Sequence, residues 1–404
     1  MGRMTEQVER VWRSPLQPYL AVFRVSGAWQ FSVAGLVGRM PWAMFGLGTV
    51  LLISGVTGRY GTAGAVSAVG SAGYAFASPW VARLVDRNGQ RRVLIPLVTV
   101  FAAATVSLIV LVVAGAPAWT WFVAGTLSGS TIPALGPMVR ARWSELLSGT
   151  PGLHTAFSFE SVADELCFVI GPAAVTLLAA VHPSSGITVA TVLCLGGTLW
   201  LAAQRRTEPA VTRPDAGLGG GLLGRGLVVL VPICVLLGAM FMSIDLSTVA
   251  FAQSFGQESL AGLILAANAF GSAVGGLWYG ARDWRTPDRQ RLLIAVGLTA
   301  AGVATYWAMP GLGTLTAVSF LSGLTIAPTM ITGFGLVETQ TAVGRRTEAM
   351  TWLSSGISVG AGFGGSVVGF VVDGLGARYG FGLAAVCGGL AFLICLVGFG
   401  RLRA

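Results

Sequence analysis

The sequence consists of long apolar stretches separated by short clusters of arginine, glycine and proline. Twelve stretches reach about 20 residues, the length that an α-helix needs to cross a bilayer. Only 10% of the 404 residues are charged, against about 25% in soluble domains. The chain is therefore predicted to be an all-α polytopic membrane protein, and an ordinary soluble enzyme is excluded. The predicted spans are 29–54, 62–82, 93–114, 118–138, 157–181, 185–203, 227–252, 260–281, 291–309, 311–333, 349–373 and 378–400.

The arginines alternate between the two sides of these spans. All 25 basic residues are arginine, and 22 of them lie in the terminal segments or in every second loop. The opposite loops hold only Arg59 and Arg378, and Arg39 lies inside the first span. Because cytoplasmic loops carry the basic excess, we predict a multi-pass protein of the cell membrane (inner or plasma membrane) with both termini in the cytoplasm. The basic charge is thus explained without a nucleic-acid partner.

The chain divides into two similar halves. Residues 205–225 are rich in Arg, Gly and Pro and are predicted to be a cytoplasmic linker. They separate an N-terminal six-helix bundle, 1–204, from a C-terminal one, 226–404. Residues 127–133 match 321–328 in the fourth and tenth spans, and residues 68–72 match 269–273 in the second and eighth. Parallel repeats of this kind place a substrate site at their interface, near the bilayer midplane.

The loop between the second and third spans carries a family resemblance. Residues 82–92, ARLVDRNGQRR, resemble the loop motif of the major facilitator superfamily, although Ala82 replaces its first glycine and Gln90 one basic residue. The resemblance implies that superfamily's fold of 12 transmembrane helices in two six-helix bundles. It also implies a conformational latch, in which Asp86 lies near a helix terminus and pairs with arginine across the cytoplasmic face, while Gly89 allows a tight turn. The alternative is an ordinary basic loop. The implied latch residues are Asp86, Arg87, Gly89, Arg91 and Arg92.

A second, partial resemblance concerns the direction of transport. Gly171 and Pro172 in the fifth span resemble the centre of the motif of drug/proton antiporters, but Cys167 replaces its first glycine. The fourth span lacks the internal arginine of those antiporters, since Arg140 and Arg142 are expected at its cytoplasmic end. The resemblance implies an efflux protein, with proton antiport as its energy source.

Charged residues inside the spans are the main functional candidates. Arg39 lies near the middle of the first span, where an arginine facing lipid costs about 2.5–3.5 kcal/mol or more. It therefore needs an anion, and we predict an ion pair with Asp164 or Glu165 of the fifth span, which neighbours the first in the family fold. The acid left over can exchange protons; alternatively, the group is a fixed ion-pair network. The substrate-binding or proton-coupling candidates are Arg39, Glu160, Asp164, Glu165, Asp245 and Asn268.

Other residues are assigned to the cavity and its gates. Phe31, Trp42 and Phe45 are candidates to stack on an organic substrate. A cytoplasmic gate is predicted at Glu338, Arg345, Arg346 and Glu348. Helix bends are predicted at Pro41, Pro133, Pro137, Gly171, Pro172 and Pro328, because proline interrupts helical hydrogen bonding.

No pattern indicates catalysis, a metal or a cofactor. His154 and His182, the two histidines, lie in opposite loops, and the five cysteines form no CxxC pair. We predict a secondary active transporter that works by alternating access and exports a hydrophobic or amphipathic small molecule. The alternatives are a nutrient-uptake symporter and a non-transporting membrane receptor or scaffold. The expected partners are the small-molecule substrate, membrane lipids and, for antiport, protons; we expect a monomer.

Overall fold

The computed structural model describes residues 17–211 and 226–402, and this part of the chain consists of helices joined by short loops. Arg3, Arg10, Arg13, Arg213, Arg225 and Arg403, and most of the predicted linker, lie outside the described residues. The first half contains α1 (Gln17–Phe23), α2 (Ala28–Thr57), α3 (Tyr60–Asn88), α4 (Gln90–Val113), α5 (Ala118–Ser130), α6 (Leu135–Leu147), α7 (Gly152–Val181) and α8 (Ser185–Ala203). The second half contains α9 (Leu227–Ser254), α10 (Ser259–Gly280), α11 (Asp288–Ala304), α12 (Leu312–Gly323), α13 (Ile326–Gln340), α14 (Arg346–Leu375) and α15 (Ala377–Gly398).

These helices form twelve membrane crossings, six in each half. Ten of them are long and apolar enough to be recognised as spans by length and composition alone. The other two are α3, which is rich in glycine, alanine and serine, and the α5–α6 pair, whose second helix carries Arg140, Arg142 and Glu145. The predicted all-α fold of twelve transmembrane helices in two six-helix bundles is confirmed.

Two of the crossings are broken helices. The fourth is interrupted at 131–134, between α5 and α6, and the tenth between α12 and α13. Pro133 lies in the first break, whereas Pro137 and Pro328 lie in the first turn of the helix that follows, where the backbone N–H has no partner within the helix. By contrast, α2 continues through Pro41 and α7 through Gly171 and Pro172, so the prolines in these two helices do not end them.

The repeated segments meet each other in the same way in both bundles. In the first bundle, a Cβ on Gly129 of α5 would overlap the carbonyl oxygen of Gly70 in α3. In the second, a Cβ on Gly323 of α12 would overlap the carbonyl oxygen of Asn268 in α10, and one on Gly271 would overlap the backbone of α12. The two matched segments of each half are therefore the two sides of one close helix crossing, which lies just before the broken part of the span.

Among the described residues, four pairs of α-helices make the most extensive contacts between the bundles. They are α3 with α14, α7 with α10, α7 with α13, and α6 with α14. These contacts bring together the helix ends that carry the arginine clusters, so we call this end of the molecule the arginine-rich face. Across the interface, α3, α6 and α7 of the first bundle thus face α10, α13 and α14 of the second.

Candidate transport site between the two bundles

A buried ion-pair network connects α2 with α7. The guanidinium of Arg39 lies 2.5 Å from Oε2 of Glu160 and 3.0 Å from Oδ1 of Asp164. Because Glu160 and Asp164 are four residues apart on one helix, they present their carboxylates on the same face, and Arg39 reaches both. The structure thus brings Arg39 to Asp164, one of the two predicted partners, and adds Glu160.

Ser32 of α2 and two residues of α6 complete this network. Ser32 donates a hydrogen bond of 2.6 Å to Oε1 of Glu160, and the indole of Trp143 donates one of 2.9 Å to the same atom. Arg140 lies 2.7 Å from Oδ2 of Asp164, and its guanidinium lies over the ring of Phe334 in the second bundle. Arg140 was expected at the cytoplasmic end of the fourth span, and in the structure it lies in the middle of α6. The break before α6 carries this arginine into the core, where it is 2% exposed.

The network contains equal numbers of positive and negative side chains. Two arginines, Arg39 and Arg140, face two carboxylates, Glu160 and Asp164. The predicted surplus of acid over a single arginine is therefore absent from this group. Since buried charges persist when they are paired and hydrogen-bonded, these four residues form a stable connection between α2, α6 and α7.

Glu165 lies outside the network and faces the second bundle. Its Oε1 accepts a hydrogen bond of 2.7 Å from Ser272 of α10. The ion pairs of the described residues leave Glu165 without a basic partner. Asp245 of α9 has an exposed side chain and is close enough to Glu165 to repel its negative charge. The interface thus holds one acid from each bundle, both unpaired with arginine.

An aromatic cluster joins α2, α3 and α7, and its Phe168 lies three residues after Glu165 on the same helix. The ring of Trp42 is 5.7 Å from that of Tyr74 and 5.0 Å from that of Phe168. Trp42 is half-buried and Phe168 is exposed, so both rings present apolar surface outside the core of the first bundle. Tyr74 and Phe168 gave no separate signal in the sequence, because aromatic residues are common in its apolar spans.

Phe31 and Phe45, the other predicted cavity aromatics, belong to the core. Phe31 is fully buried and packs edge-on against Trp143 at 4.6 Å, and Phe45 packs against Phe101 at 5.9 Å. Neither ring is exposed in this conformation, and the assignment of these two residues to the cavity stays a prediction. Their position on α2 turns them toward the interior of the first bundle.

Asn268 bridges helices of the second bundle. Its amide donates to the hydroxyl of Tyr306, 3.3 Å away, and to the carbonyl oxygen of Ser319, 3.1 Å away. Tyr306 also shares a hydrogen bond of 2.6 Å with Ser322. These contacts give Asn268 a structural role near the glycine crossing of α10 and α12.

The bundles are closed at the arginine-rich face. His154 and Thr155 of α7 lie 3.0 and 2.9 Å from the carbonyl oxygens of Tyr279 and Gly280 at the end of α10. Ser78 and Ser355 share a hydrogen bond of 2.8 Å between α3 and α14. Within the described residues, every hydrogen bond between the bundles lies at this face or near the middle of the helices. The described hydrogen bonds thus hold the bundles together at this face and not at the opposite one.

The motif loop contributes to this closure through a helix terminus. Oδ2 of Asp86 accepts a hydrogen bond of 2.9 Å from the backbone N–H of Glu348, in the first turn of α14. A carboxylate is favourable there because the first turn has free N–H groups and a positive dipole. Gly89, with φ of +88°, makes the turn from α3 into α4. Asp86 was predicted to lie near a helix terminus and to pair with arginine. It does lie at the terminus of α14, but the ion pairs of the described residues do not include it.

The substitution of glutamine for a basic residue at position 90 has a local explanation. Gln90 is buried and accepts a hydrogen bond of 2.7 Å from Arg142, while its amide donates to the carbonyl oxygen of Met138. Arg142, which is fully buried, also donates to Thr207 at 2.8 Å. A second cation at position 90 would lie against this guanidinium. Arg87 and Arg92 make no ion pair among the described residues, and the backbone N–H of Arg91 is capped by Glu208 at 2.9 Å.

The predicted gate residues are adjacent but make separate contacts. Arg346 and Glu338 form an ion pair of 2.8 Å, and Ser148 of the first bundle donates to Glu338 at 3.4 Å. Glu348 contributes its backbone N–H to Asp86 and lies within electrostatic range of Arg345. These contacts all lie at the closed face. Within the described ranges, no group of three or more His, Cys, Asp or Glu side chains has a geometry that would hold a metal ion.

Comparison with known proteins identifies the family. The model of the Major Facilitator Superfamily matches residues 31–281 and 228–403. The chain belongs to this superfamily. Members of the superfamily are transporters and not enzymes, so the chain is a multi-pass membrane protein whose fold supports secondary transport of small molecules. No curated protein matches the sequence.

Solved structures of the Major Facilitator Superfamily share the fold at low sequence identity. A bacterial homologue of the iron transporter ferroportin, in an outward-facing state with soaked iron, has a TM-score of 0.72 at 16% identity, over 92% of this chain and 98% of that one. The human organic anion transporter MFSD10 (TETRAN) has a TM-score of 0.66 at 15% identity, over 93% and 98%. The E.coli fucose:proton symporter FucP has a TM-score of 0.68 at 13% identity, over 91% and 98%.

Proposed function

We propose that the chain exports a hydrophobic or amphipathic small molecule by alternating access and exchanges it for protons. The observation that carries this proposal is Glu165, an acid at the interface of the two bundles that has no arginine partner and bonds to Ser272 of the opposite bundle. A carboxylate in this position gains and loses a proton at less cost than one held in the Arg39 network, because no ion pair has to be broken. Its bond to Ser272 links the protonation state to the contact between the bundles.

The surfaces beside Glu165 support an amphipathic substrate with neutral or positive charge. Trp42 and Phe168 offer apolar and aromatic area, and the exposed polar side chains nearby include the carboxylates of Asp164, 32% exposed, and Asp245. An aromatic face next to a carboxylate attracts organic cations through both electrostatics and cation–π contact. An anionic substrate would meet unfavourable charge at this point.

The direction of transport depends on the orientation of the chain. We assign the arginine-rich face to the cytoplasm, because basic residues are retained on that side; the conformation described above is then open to the outside. Cysteines introduced at Ser184 and Gly311 should react in intact cells with a maleimide that does not cross the membrane, and a cysteine at the exposed Thr150 should not. The native cysteines of the described chain are buried and give a low background. Labelling of Thr150→Cys alone would reverse the orientation.

Transport by the Glu165→Gln variant tests whether Glu165 couples substrate export to proton exchange. Glutamine still accepts the hydrogen bond from Ser272 but cannot exchange a proton, so we expect the variant to fold, bind substrate and exchange it across the membrane. It should lose accumulation driven by a proton gradient. The measurement is ethidium or rhodamine uptake into everted vesicles with an acidic interior, together with substrate exchange at equal pH.

The control for this variant is Glu258→Gln, which should behave as the wild type. Glu258 is exposed and lies just before α10, at the end of the second bundle away from the arginine-rich face. Gradient-driven accumulation that survives in Glu165→Gln contradicts the proposed role of this residue. Accumulation in vesicles of the native orientation with acid outside would identify an uptake symporter instead, and binding without flux would identify a receptor.

A further inference from the structure

A short helix that lies outside the twelve spans takes part in the contact between the two bundles at the arginine-rich face. α1 precedes the first span and packs along α7. The ring of its Phe23 lies 4.8 Å from that of Phe159 and 6.0 Å from that of Trp143. Trp143 in turn holds Glu160 in the buried ion-pair network. These contacts fix α1 to the first bundle, so it moves as a part of that bundle.

One side chain of α1 reaches the second bundle. The hydroxyl of Tyr19 donates a hydrogen bond of 2.8 Å to the carbonyl oxygen of Leu277, near the end of α10. It also lies 3.1 Å from the hydroxyl of Ser158 on α7, and Ser158 contacts the carbonyl oxygen of Gly276. Tyr19 is 8% exposed, so the hydrogen bond is shielded from water. Burial raises the pKa of Tyr19 above its ordinary value, which keeps the hydroxyl protonated and able to donate.

The packing around Tyr19 is specific to the closed arginine-rich face. A Cβ on Gly280 of α10 would lie 2.7 Å from the Tyr19 hydroxyl and would overlap Ser158, so the helices approach here as closely as glycine allows. Alternating access requires the two bundles to separate at this end when the other end closes. The hydrogen bond between the Tyr19 hydroxyl and the carbonyl oxygen of Leu277 then breaks, because the two groups belong to different bundles.

We propose that Tyr19 is a positioning residue of the transport cycle, whose hydroxyl holds the two bundles together at the arginine-rich face. The bond stabilises the conformation that is open to the opposite face and has no counterpart in the conformation that is open to the arginine-rich face. It therefore sets the equilibrium between the two states. This role requires alternating access but is independent of export direction, substrate and proton coupling.

The test is the population of the two states in Tyr19→Phe, which removes only the hydroxyl. Spin labels on cysteines introduced at the exposed Thr150 and Asp283 report the separation of the bundles at this face by double electron–electron resonance. The loss of one shielded hydrogen bond should raise the ratio of the open to the closed arginine-rich face about fivefold. Ser158→Ala, which removes the second hydroxyl at the same contact, should shift the ratio in the same direction.

The matched control is Tyr60→Phe, a tyrosine that is 72% exposed and lies on the opposite face, and it should leave the ratio unchanged. Thermal unfolding in detergent should show that all three variants remain folded. Because the distance measurement needs no substrate, its outcome is separate from the proton-coupling test on Glu165. Distance distributions of Tyr19→Phe and Ser158→Ala that both match the wild type would overturn the proposal.

Discussion

Replacement of Arg39 by alanine is expected to lower the free energy of unfolding by about 3–5 kcal/mol, the cost of removing one partner from a buried ion pair. Glu160 is fully buried, and without Arg39 its charge retains only the hydrogen bonds from Ser32 and Trp143. Asp164 keeps Arg140, so the loss falls mainly on Glu160. Thermal and denaturant unfolding of the purified protein in detergent measure the effect. Arg59→Ala, at an exposed arginine in an opposite loop, is the control.

A double variant separates the lost charge from the lost packing. Glu160→Gln keeps a side chain that accepts from Ser32 and Trp143 but carries no charge, and Arg39→Met keeps most of the apolar volume of the arginine. The double variant should be more stable than Arg39→Met alone, because no buried charge is then left unpaired. If Arg39→Ala unfolds like Arg59→Ala, or if the double variant is no better than the single one, the network does not stabilise the fold.

The spans and their alternation could be predicted because they depend on local composition. Apolar length and the position of arginines at the ends of a stretch are properties that need no knowledge of the neighbours. The same reasoning required an anion for Arg39, since an unpaired arginine inside a span is costly. The second arginine that pairs with Asp164, Arg140, could not be predicted in the same way. Arg140, Arg142 and Glu145 make the α6 segment polar, and a polar segment after a proline suggests the end of a span.

The burial of Arg140 is a tertiary property. α6 is surrounded by α2, α7 and α14, so its arginines find carboxylates and carbonyl oxygens in place of water. The orientation of Phe31 and Phe45 was unpredictable for a different reason. α2 is apolar on all sides, and without a polar face the sequence gives no indication of which side meets the cavity. Tyr19 lies in a segment of seven residues, too short for any periodic signal.

The second large effect is expected for Gly129→Ala, at the close crossing of α3 and α5. The added methyl group would overlap the carbonyl oxygen of Gly70, which is backbone and cannot rotate away. α3 and α5 must separate, and overpacking of this kind costs about 1–3 kcal/mol. Gly323→Ala should have a similar cost in the second bundle, where the methyl group would overlap the carbonyl oxygen of Asn268.

Glycines in the partner helices of these crossings provide the controls. Gly64 in α3 and Gly262 in α10 have no neighbouring atom within 4 Å of an added Cβ, and alanine favours a helix by about 1 kcal/mol over glycine. Gly64→Ala and Gly262→Ala should therefore be neutral or stabilising, while Gly129→Ala and Gly323→Ala lower the unfolding temperature in detergent. Equal unfolding temperatures for all four variants would mean that the helices part without cost, and the repeated segments would then have no packing role. If the unfolding temperature falls in only one of the two variants, the close crossing stabilises only that half of the chain.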